Sequence, residues 1–212
     1  MPDRDRATGG RDGRADHSDT DDGAGSDLGY VRPVLGGESF CPAGHRLGGD
    51  DSTGPVDAVY RLPTTTCSAC RAAGDDRATW ATIDPRRVHT TAEAPAAGLV
   101  LVRHPPPSGY PAAPSSIALQ LDGVTIGDID IAVCDVDALG VVEHVRIDPG
   151  YRRRGLGRLL IAAAYTSAPT CDWSITAITP SAVDFWAAIH PLGAATPPRY
   201  CVHHREDAEH VP

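Results

Sequence analysis

The stretch that most constrains this chain is Val141-Val-Glu-His-Val-Arg-Ile-Asp-Pro-Gly-Tyr-Arg-Arg-Arg-Gly-Leu-Gly-Arg-Leu-Leu-Ile161. A β-branched run stops at Pro149-Gly150, and after an arginine-rich loop an apolar helix begins. Strand, amide-rich loop and helix N-terminus, in that order, form a cradle for a pyrophosphate. Gly155 and Gly157 carry no Cβ, so backbone N–H groups there can approach phosphate oxygens closely. The first turn of the helix adds donors without intrahelical acceptors and the positive end of its dipole. Arg152, Arg153, Arg154 and Arg158 raise the local positive potential in a chain whose formal net charge is −9.

Three kinds of phosphate loop come into question. A Walker loop needs a lysine after its last glycine, and all 19 residues of the Lys+Arg count are arginine. A dinucleotide loop needs a third glycine, where Leu160 stands. The segment instead resembles the acyl-CoA loop of the GNAT N-acetyltransferase family, Arg/Gln-x-x-Gly-x-Gly/Ala. Arg152-Arg-Arg-Gly155-Leu-Gly157 matches it, and so does the approach, Val142-Glu-His-Val-Arg-Ile147-Asp-Pro149-Gly-Tyr151. The bland alternative is a basic surface loop ahead of a core helix.

A second landmark lies downstream. Trp173-Ser-Ile-Thr-Ala-Ile178 reads as a strand. After it, Thr179, Ala182, Phe185, Trp186 and Gly193 occupy the positions of the family's Asn-x-x-Ala-x-x-Phe-Tyr and following Gly. Ser181 with Asp184 resembles a capping box, and Val183, Trp186 and Ile189, with Ala187 and His190, give helical spacing with one mostly apolar face. Thr179 and Trp186 are departures. The family's Tyr often serves as general acid toward the leaving CoA thiolate, and an indole N–H cannot. Another group or solvent must then supply that proton.

The resemblance implies an α/β chain of the α+β kind, a mixed, mainly antiparallel twisted sheet with helices; the cysteine and histidine cluster upstream is read, separately, as a small zinc-ribbon-like module preceding it. The expected division is a disordered tail at 1–29, the module at 38–96 and the acyltransferase domain at 97–205. By the resemblance, acetyl-CoA lies where the fourth and fifth strands splay. Its pantetheine pairs with backbone around Val145, Arg146 and Ile147, and its pyrophosphate sits on Arg152, Arg153, Arg154, Gly155, Leu156, Gly157 and Arg158, with Thr179 nearby. The acceptor amine must lose a proton to attack the thioester. Glu143, a carboxylate within the fourth strand, is the first candidate base. His144 is the alternative, should a bulge turn it to the same face.

The strands of the domain are expected at Gly98–Val102, Ser116–Leu121 and Val124–Val133, ahead of the one that carries Glu143. Arg103 to Ser115 contains five prolines, which rule out a helix of any length there. The family usually has two helices at that point, walling the acceptor site. The zinc module or a second subunit of a homodimer could fill the space. Arg199-Tyr-Cys-Val-His-His204 is a candidate last strand.

In the module, Cys41-Pro-Ala-Gly-His45 and Cys67-Ser-Ala-Cys70 are two short turns, each able to bite one ion. Cys41, His45, Cys67 and Cys70 would close a tetrahedral structural zinc site, leaving no open position. Val56–Leu62 and Ala78–Ile83 read as short flanking strands. A redox role for Cys67-x-x-Cys70 lacks the usual strand-then-helix context, and inert thiols are the remaining reading. Cys134, Cys171 and Cys201, scattered singly, read as core or near-core.

Net charge −9 argues against non-specific nucleic-acid binding. The absence of an apolar run that could span a bilayer, and of a charged-then-hydrophobic leader, leads us to expect a cytoplasmic protein. Three functions compete: an acyl-CoA-dependent N-acyltransferase acting on a small-molecule or peptide amine; a catalytically inactive acyl-CoA-binding module that docks proteins through its zinc ribbon; and a zinc-ribbon nucleic-acid adaptor, which the acidic balance disfavours.

Overall fold

The computed structural model describes residues 29–34, 40–48, 51–106, 112, 114–176, 178–189 and 198–204. The tail expected at 1–29 lies outside them up to residue 28, as do His190 and Gly193.

The fold is α+β, with two mixed sheets and few helices among the described residues. The larger sheet uses β5 (Val88–Thr90), β6 (Leu99–His104), β7 (Pro114–Leu121), β8 (Val124–Cys134), β9 (Leu139–Ile147) and β10 (Asp172–Ile175). Its order is β10-β9-β8-β7-β6-β5. The steps from β6 to β9 are antiparallel, while β5–β6 and β9–β10 are parallel. The turn from β7 to β8 is Asp122-Gly123, both at positive φ (49° and 80°), the conformation a tight hairpin demands.

Strand alternation decides the two faces of this sheet. Ile129 and Ile131 of β8 enter the core and Asp128 and Asp130 face the other way, while Ile126 also reaches the core because the register shift opposite Leu119 and Gln120 changes the phase there. Helix α2 (Leu156–Ser167) covers the first face with Leu156, Leu159, Leu160, Ile161, Ala163 and Ala164. Burying a leucine or isoleucine there contributes roughly 1.5–3 kcal/mol relative to leaving it exposed. β6 and β7 form a direct antiparallel hairpin out to His104 and Ser116. No helix occurs among the described residues between them, as the prolines require.

The smaller sheet has order β1-β4-β3-β2, from β1 (Tyr30–Pro33), β2 (Ser52–Val56), β3 (Pro63–Thr66) and β4 (Thr79–Ile83). Helix α1 (Ser68–Ala72) carries the second cysteine turn and follows β3 at once with Cys67 as its N-cap, which corrects the expectation that Cys67-x-x-Cys70 lacks a strand-then-helix order. The expected strand at Val56–Leu62 is a correction: only Val56 is extended, and Asp57 Oδ1 accepts the N–H groups of Val59 and Tyr60, closing a turn. That turn buries Tyr60 completely, and the Tyr60 carbonyl accepts the N–H of Leu99, where β6 begins. Val31, Tyr60, Ala81 and Ile83 share one core with the large sheet and α2. Among the described residues no helix is long and apolar enough to cross a membrane.

Candidate functional site

The site is built where β9 changes its register. β9 pairs with β8 as Asp130↔His144 and then Ile131↔Val142, so Glu143 is an extra residue, a β-bulge. The bulge brings Glu143 and His144 to the same face. His144 Nδ1 is 3.8 Å from Asp130 Oδ2, and Asp130 faces away from the core. Glu143 Oε1 on that side accepts the phenol of Tyr200 at 3.3 Å.

The strand ladder between β9 and β10 stops at the same place. Its last pair is Val142↔Ile175. Just beyond, the Thr176 N–H donates to the Val142 carbonyl at 3.1 Å and Thr176 Oγ1 to the Glu143 carbonyl at 2.7 Å. From Val145 to Ile147 β9 runs on toward the arginine loop with no β10 residue in register. Val145 and Ile147 pack against the core, while Arg146 turns to the opposite face and pairs with Asp128 and Asp130. Those carboxylates hold its guanidinium pKa above the ordinary arginine value.

After β9, a 3-10 turn over Pro149–Tyr151 leads into the loop. Arg152 Nε donates to the Ile147 carbonyl at 2.9 Å, closing the loop on the strand end. Arg153 is exposed at φ +65°, and Gly155 caps α2 at φ +86°. Within α2 the Leu159 N–H donates to the Gly155 carbonyl. The N–H groups of Leu156, Gly157 and Arg158 therefore precede the first helical hydrogen bond. The Leu156 side chain is buried in the core, so only its backbone can serve a ligand. Arg158 donates to the Ala188 carbonyl at 3.3 Å.

The two glycines have structural neighbours that their spacing did not reveal. A Cβ on Gly155 would collide with the Val31 carbonyl oxygen of β1, and one on Gly157 would lie 2.8 Å from the Phe185 ring. The Val31 N–H donates to the Arg154 carbonyl at 2.8 Å. The N-terminal sheet is thus hydrogen-bonded to the loop itself.

Helix α3 is short, Val183–Ala187, after a 3-10 turn over Pro180–Ala182. The expected capping box is a correction: the N-cap residue is Ala182, which has no side-chain acceptor. Val183 is exposed, whereas Phe185 and Trp186 are half-buried against the core and meet edge to face at 5.2 Å. Thr179 is exposed at the start of the 3-10 turn.

The C-terminal segment supplies what sequence reasoning missed. Residues 202–204 form a helical turn, not the last strand that was a candidate there. The Arg199 N–H donates to Ser174 Oγ at 3.0 Å, its guanidinium pairs with Asp172, and Tyr200 stacks on His204 at 4.3 Å. These contacts aim the Tyr200 hydroxyl at Glu143. Burial, and then the charge of Glu143, push the phenol pKa above its ordinary value, so it keeps its proton at neutral pH. Its distance of 57 residues from Glu143 leaves no local signal.

The four expected metal ligands come together, their ligand atoms all within 4.8 Å of one another. Cys41 Sγ lies 3.5 Å from His45 Nδ1 and 3.6 Å from Cys70 Sγ, and His45 Nδ1 is 3.3 Å from Cys70 Sγ and 3.8 Å from Cys67 Sγ. Zinc bond lengths set the edges of a tetrahedral site at about 3.8 Å between sulfurs and about 3.6 Å between sulfur and nitrogen. The residues fit such an ion. Burial works to raise the Cys41 thiol, but hydrogen bonds, first from the His45 N–H at 3.3 Å, bring it down to about 7. Trp80 and Tyr30 pack around the cluster.

The family model described as the acetyltransferase (GNAT) family matches residues 79–187. No curated protein matches the chain. An aminoglycoside acetyltransferase from an uncultured soil metagenomic sample, solved in complex with sisomicin, is 16% identical at a TM-score of 0.35, over 42% of this chain and 64% of its own. The aminoglycoside N-acetyltransferase AAC(6')-Iy, in complex with CoA, is 22% identical at a TM-score of 0.33, over 44% and 66%. A tandem GNAT protein from the clavulanic acid biosynthesis pathway is 27% identical at a TM-score of 0.33, over 40% and 29%. This chain covers less than two thirds of the length of the first of these.

Proposed function

This chain belongs to the GNAT acetyltransferase family, matched over just over half its length, and we propose on that premise that it transfers an acetyl group from acetyl-CoA to an amine. The observation that carries the proposal is the bulge at Glu143. It sets a carboxylate beside a phenol where β9 and β10 stop pairing, on the strand that runs directly into the arginine loop.

The loop residues Arg152, Arg153, Arg154 and Arg158, with the N–H groups of Leu156 and Gly157, bind the CoA pyrophosphate. Backbone from Val145 to Ile147 pairs with the pantetheine arm, and Thr179 lies at its flank. The thioester carbonyl then lies near Glu143. Glu143 takes a proton from the acceptor ammonium, the freed nitrogen lone pair forms the C–N bond as the C–S bond breaks, and the nitrogen's second proton leaves to solvent as the amide forms. Tyr200, kept protonated by burial, gives its proton to the departing CoA thiolate and recovers one from Glu143 across their hydrogen bond. His144, also on this face, is the alternative base. Tyr200 thus fills the role that Trp186 cannot.

Zinc at Cys41, His45, Cys67 and Cys70 is structural in this reading, since four protein ligands leave no position for substrate. A module with so small an apolar centre requires such a staple. The test is release of CoA thiol from acetyl-CoA in the presence of a panel of small amines and peptide N-termini, comparing the native chain with Glu143→Gln. Amine-dependent release that falls at least about a hundredfold in Glu143→Gln is expected. Saturable acetyl-CoA binding without turnover on any amine would favour the inactive, docking reading.

A further inference from the structure

At the far end of β9 from the loop, a second set of metal-type ligands converges. Cys134 closes β8, Asp137 sits in the turn to β9, and Cys201 and His203 come from the C-terminal segment. Their ligand atoms all lie within 4.8 Å of one another. Cys134 Sγ is 3.4 Å from His203 Nδ1 and 3.9 Å from Asp137 Oδ2, and His203 Nδ1 is 3.2 Å from that same carboxylate oxygen. We propose that Cys134, Asp137, Cys201 and His203 form a second structural zinc site, tying the C-terminal segment to the β8–β9 turn.

Geometry supports a metal over a chance polar cluster. Zinc bond lengths give tetrahedral edges of about 3.6 Å between sulfur and nitrogen and about 3.4 Å between nitrogen and oxygen. The observed spacings lie within a few tenths of an ångström of these, as they do in the Cys41 cluster. Both sulfurs are buried, Cys134 at 2% exposure and Cys201 at 6%, with Ala112 and Leu139 packed around them. An apolar shell of that kind excludes water and strengthens a metal's hold on its ligands. His203, half-buried, and Asp137, exposed, close the outer side. Two thiolates and one carboxylate favour zinc over a hard cation such as calcium or magnesium. The two cysteines lose their protons on binding.

The segment's other ties are contacts of single residues, Arg199 with Ser174 and Asp172 among them. Residues 198–204 join no strand of either sheet among the described residues, yet Tyr200 must be held against Glu143. A metal bonded to Cys201, its immediate neighbour, and to the β8–β9 turn fixes it there.

The test is the zinc content of the full-length protein purified without chelator, measured by elemental mass spectrometry beside Asp137→Asn, Cys201→Ser and Cys67→Ser. Two equivalents per chain are expected in the native protein. Asp137→Asn and Cys201→Ser should each hold one with an unchanged circular dichroism spectrum, and Cys67→Ser should retain the second-site ion. Asp137 lies in an exposed turn, so Asp137→Asn keeps the test open even if Cys201→Ser fails to fold. Zinc content unaltered by both Asp137→Asn and Cys201→Ser would overturn the proposal. So would an intact mass lighter by two hydrogens that shows Cys134 and Cys201 joined as a disulfide.

Discussion

The N–H of Val31 donates to the carbonyl of Arg154 at 2.8 Å, so a strand from the N-terminal sheet is bonded into the arginine loop. Next to it, the missing side chain of Gly155 makes room for the Val31 carbonyl oxygen. Gly155 is thus required by an internal contact as well as by its left-handed backbone at φ +86°. Gly155→Ala should destabilise the chain by at least about 1–2 kcal/mol from backbone strain alone, lowering Tm by roughly 2–8 °C. Differential scanning calorimetry checks this, and an unchanged Tm would refute the contact. Arg153→Gly should behave oppositely. It relaxes an exposed left-handed residue at φ +65° while removing one positive charge from the pyrophosphate site.

The Cys41 cluster and the loop are linked through packing. Tyr30 packs on the Cys41 cluster beside Trp80, and its ring also lies 3.2 Å from where a Gly155 Cβ would be. Stripping zinc with a chelator should therefore weaken acetyl-CoA binding as well as lower Tm. The expected loss is on the order of tenfold in Kd, about 1.4 kcal/mol. Cys67→Ser should reproduce it. Undiminished affinity in the metal-free chain would show that the module and the loop are energetically separate.

Tyr200→Phe separates acid from base. It should lower kcat about ten- to a hundredfold while leaving the KM for acetyl-CoA nearly unchanged, because the ring still stacks on His204. The phenol pKa is raised, so its acid form persists through neutral pH and is lost only as pH climbs past the ordinary tyrosine value. Any alkaline limb due to Tyr200 must vanish from the pH–rate profile of Tyr200→Phe. A limb that stays identical would assign the proton to another group.

Tyr60 gives a stability prediction with a definite sign. Burial pushes its phenol up to about 12, with Arg154 working against the rise. Folded and unfolded chains both hold this proton below about pH 10, the ordinary value. Above it the unfolded chain ionises first, so stability is lost as pH rises from about 10 through the folded value. The hydroxyl has no hydrogen-bond partner among the described residues. Tyr60→Phe should accordingly be neutral or stabilising at pH 7 and should lessen alkaline unfolding between pH 10 and 12, followed by circular dichroism.

Where the sequence was legible, the signal was local. The β9–loop–α2 unit declared itself through strand alternation followed by glycine, arginine and helical spacing, and each cysteine pair of the module lies within a few residues. Long-range partners were opaque. β1 is only Tyr30–Pro33, and its partner β4 begins at Thr79. The Val56–Leu62 stretch alternates like a strand, but the Asp57 carboxylate outcompetes the ladder for two N–H groups. The Ser181 to Asp184 spacing suggested a cap, yet Pro180 starts a 3-10 turn first and the helix begins at Val183. Cys134 and Cys201 read as isolated core residues because nothing in their neighbourhoods reveals that the C-terminal segment folds back over the β8–β9 turn.

Calorimetric titration of acetyl-CoA into the zinc-replete full chain tests most directly whether the arginine loop and the β9 edge bind acetyl-CoA. One saturable site per chain is predicted, displaced by CoA and weakened in Arg153→Gly at unchanged or higher Tm. A folded chain, of normal zinc content, that binds no acetyl-CoA would contradict the account.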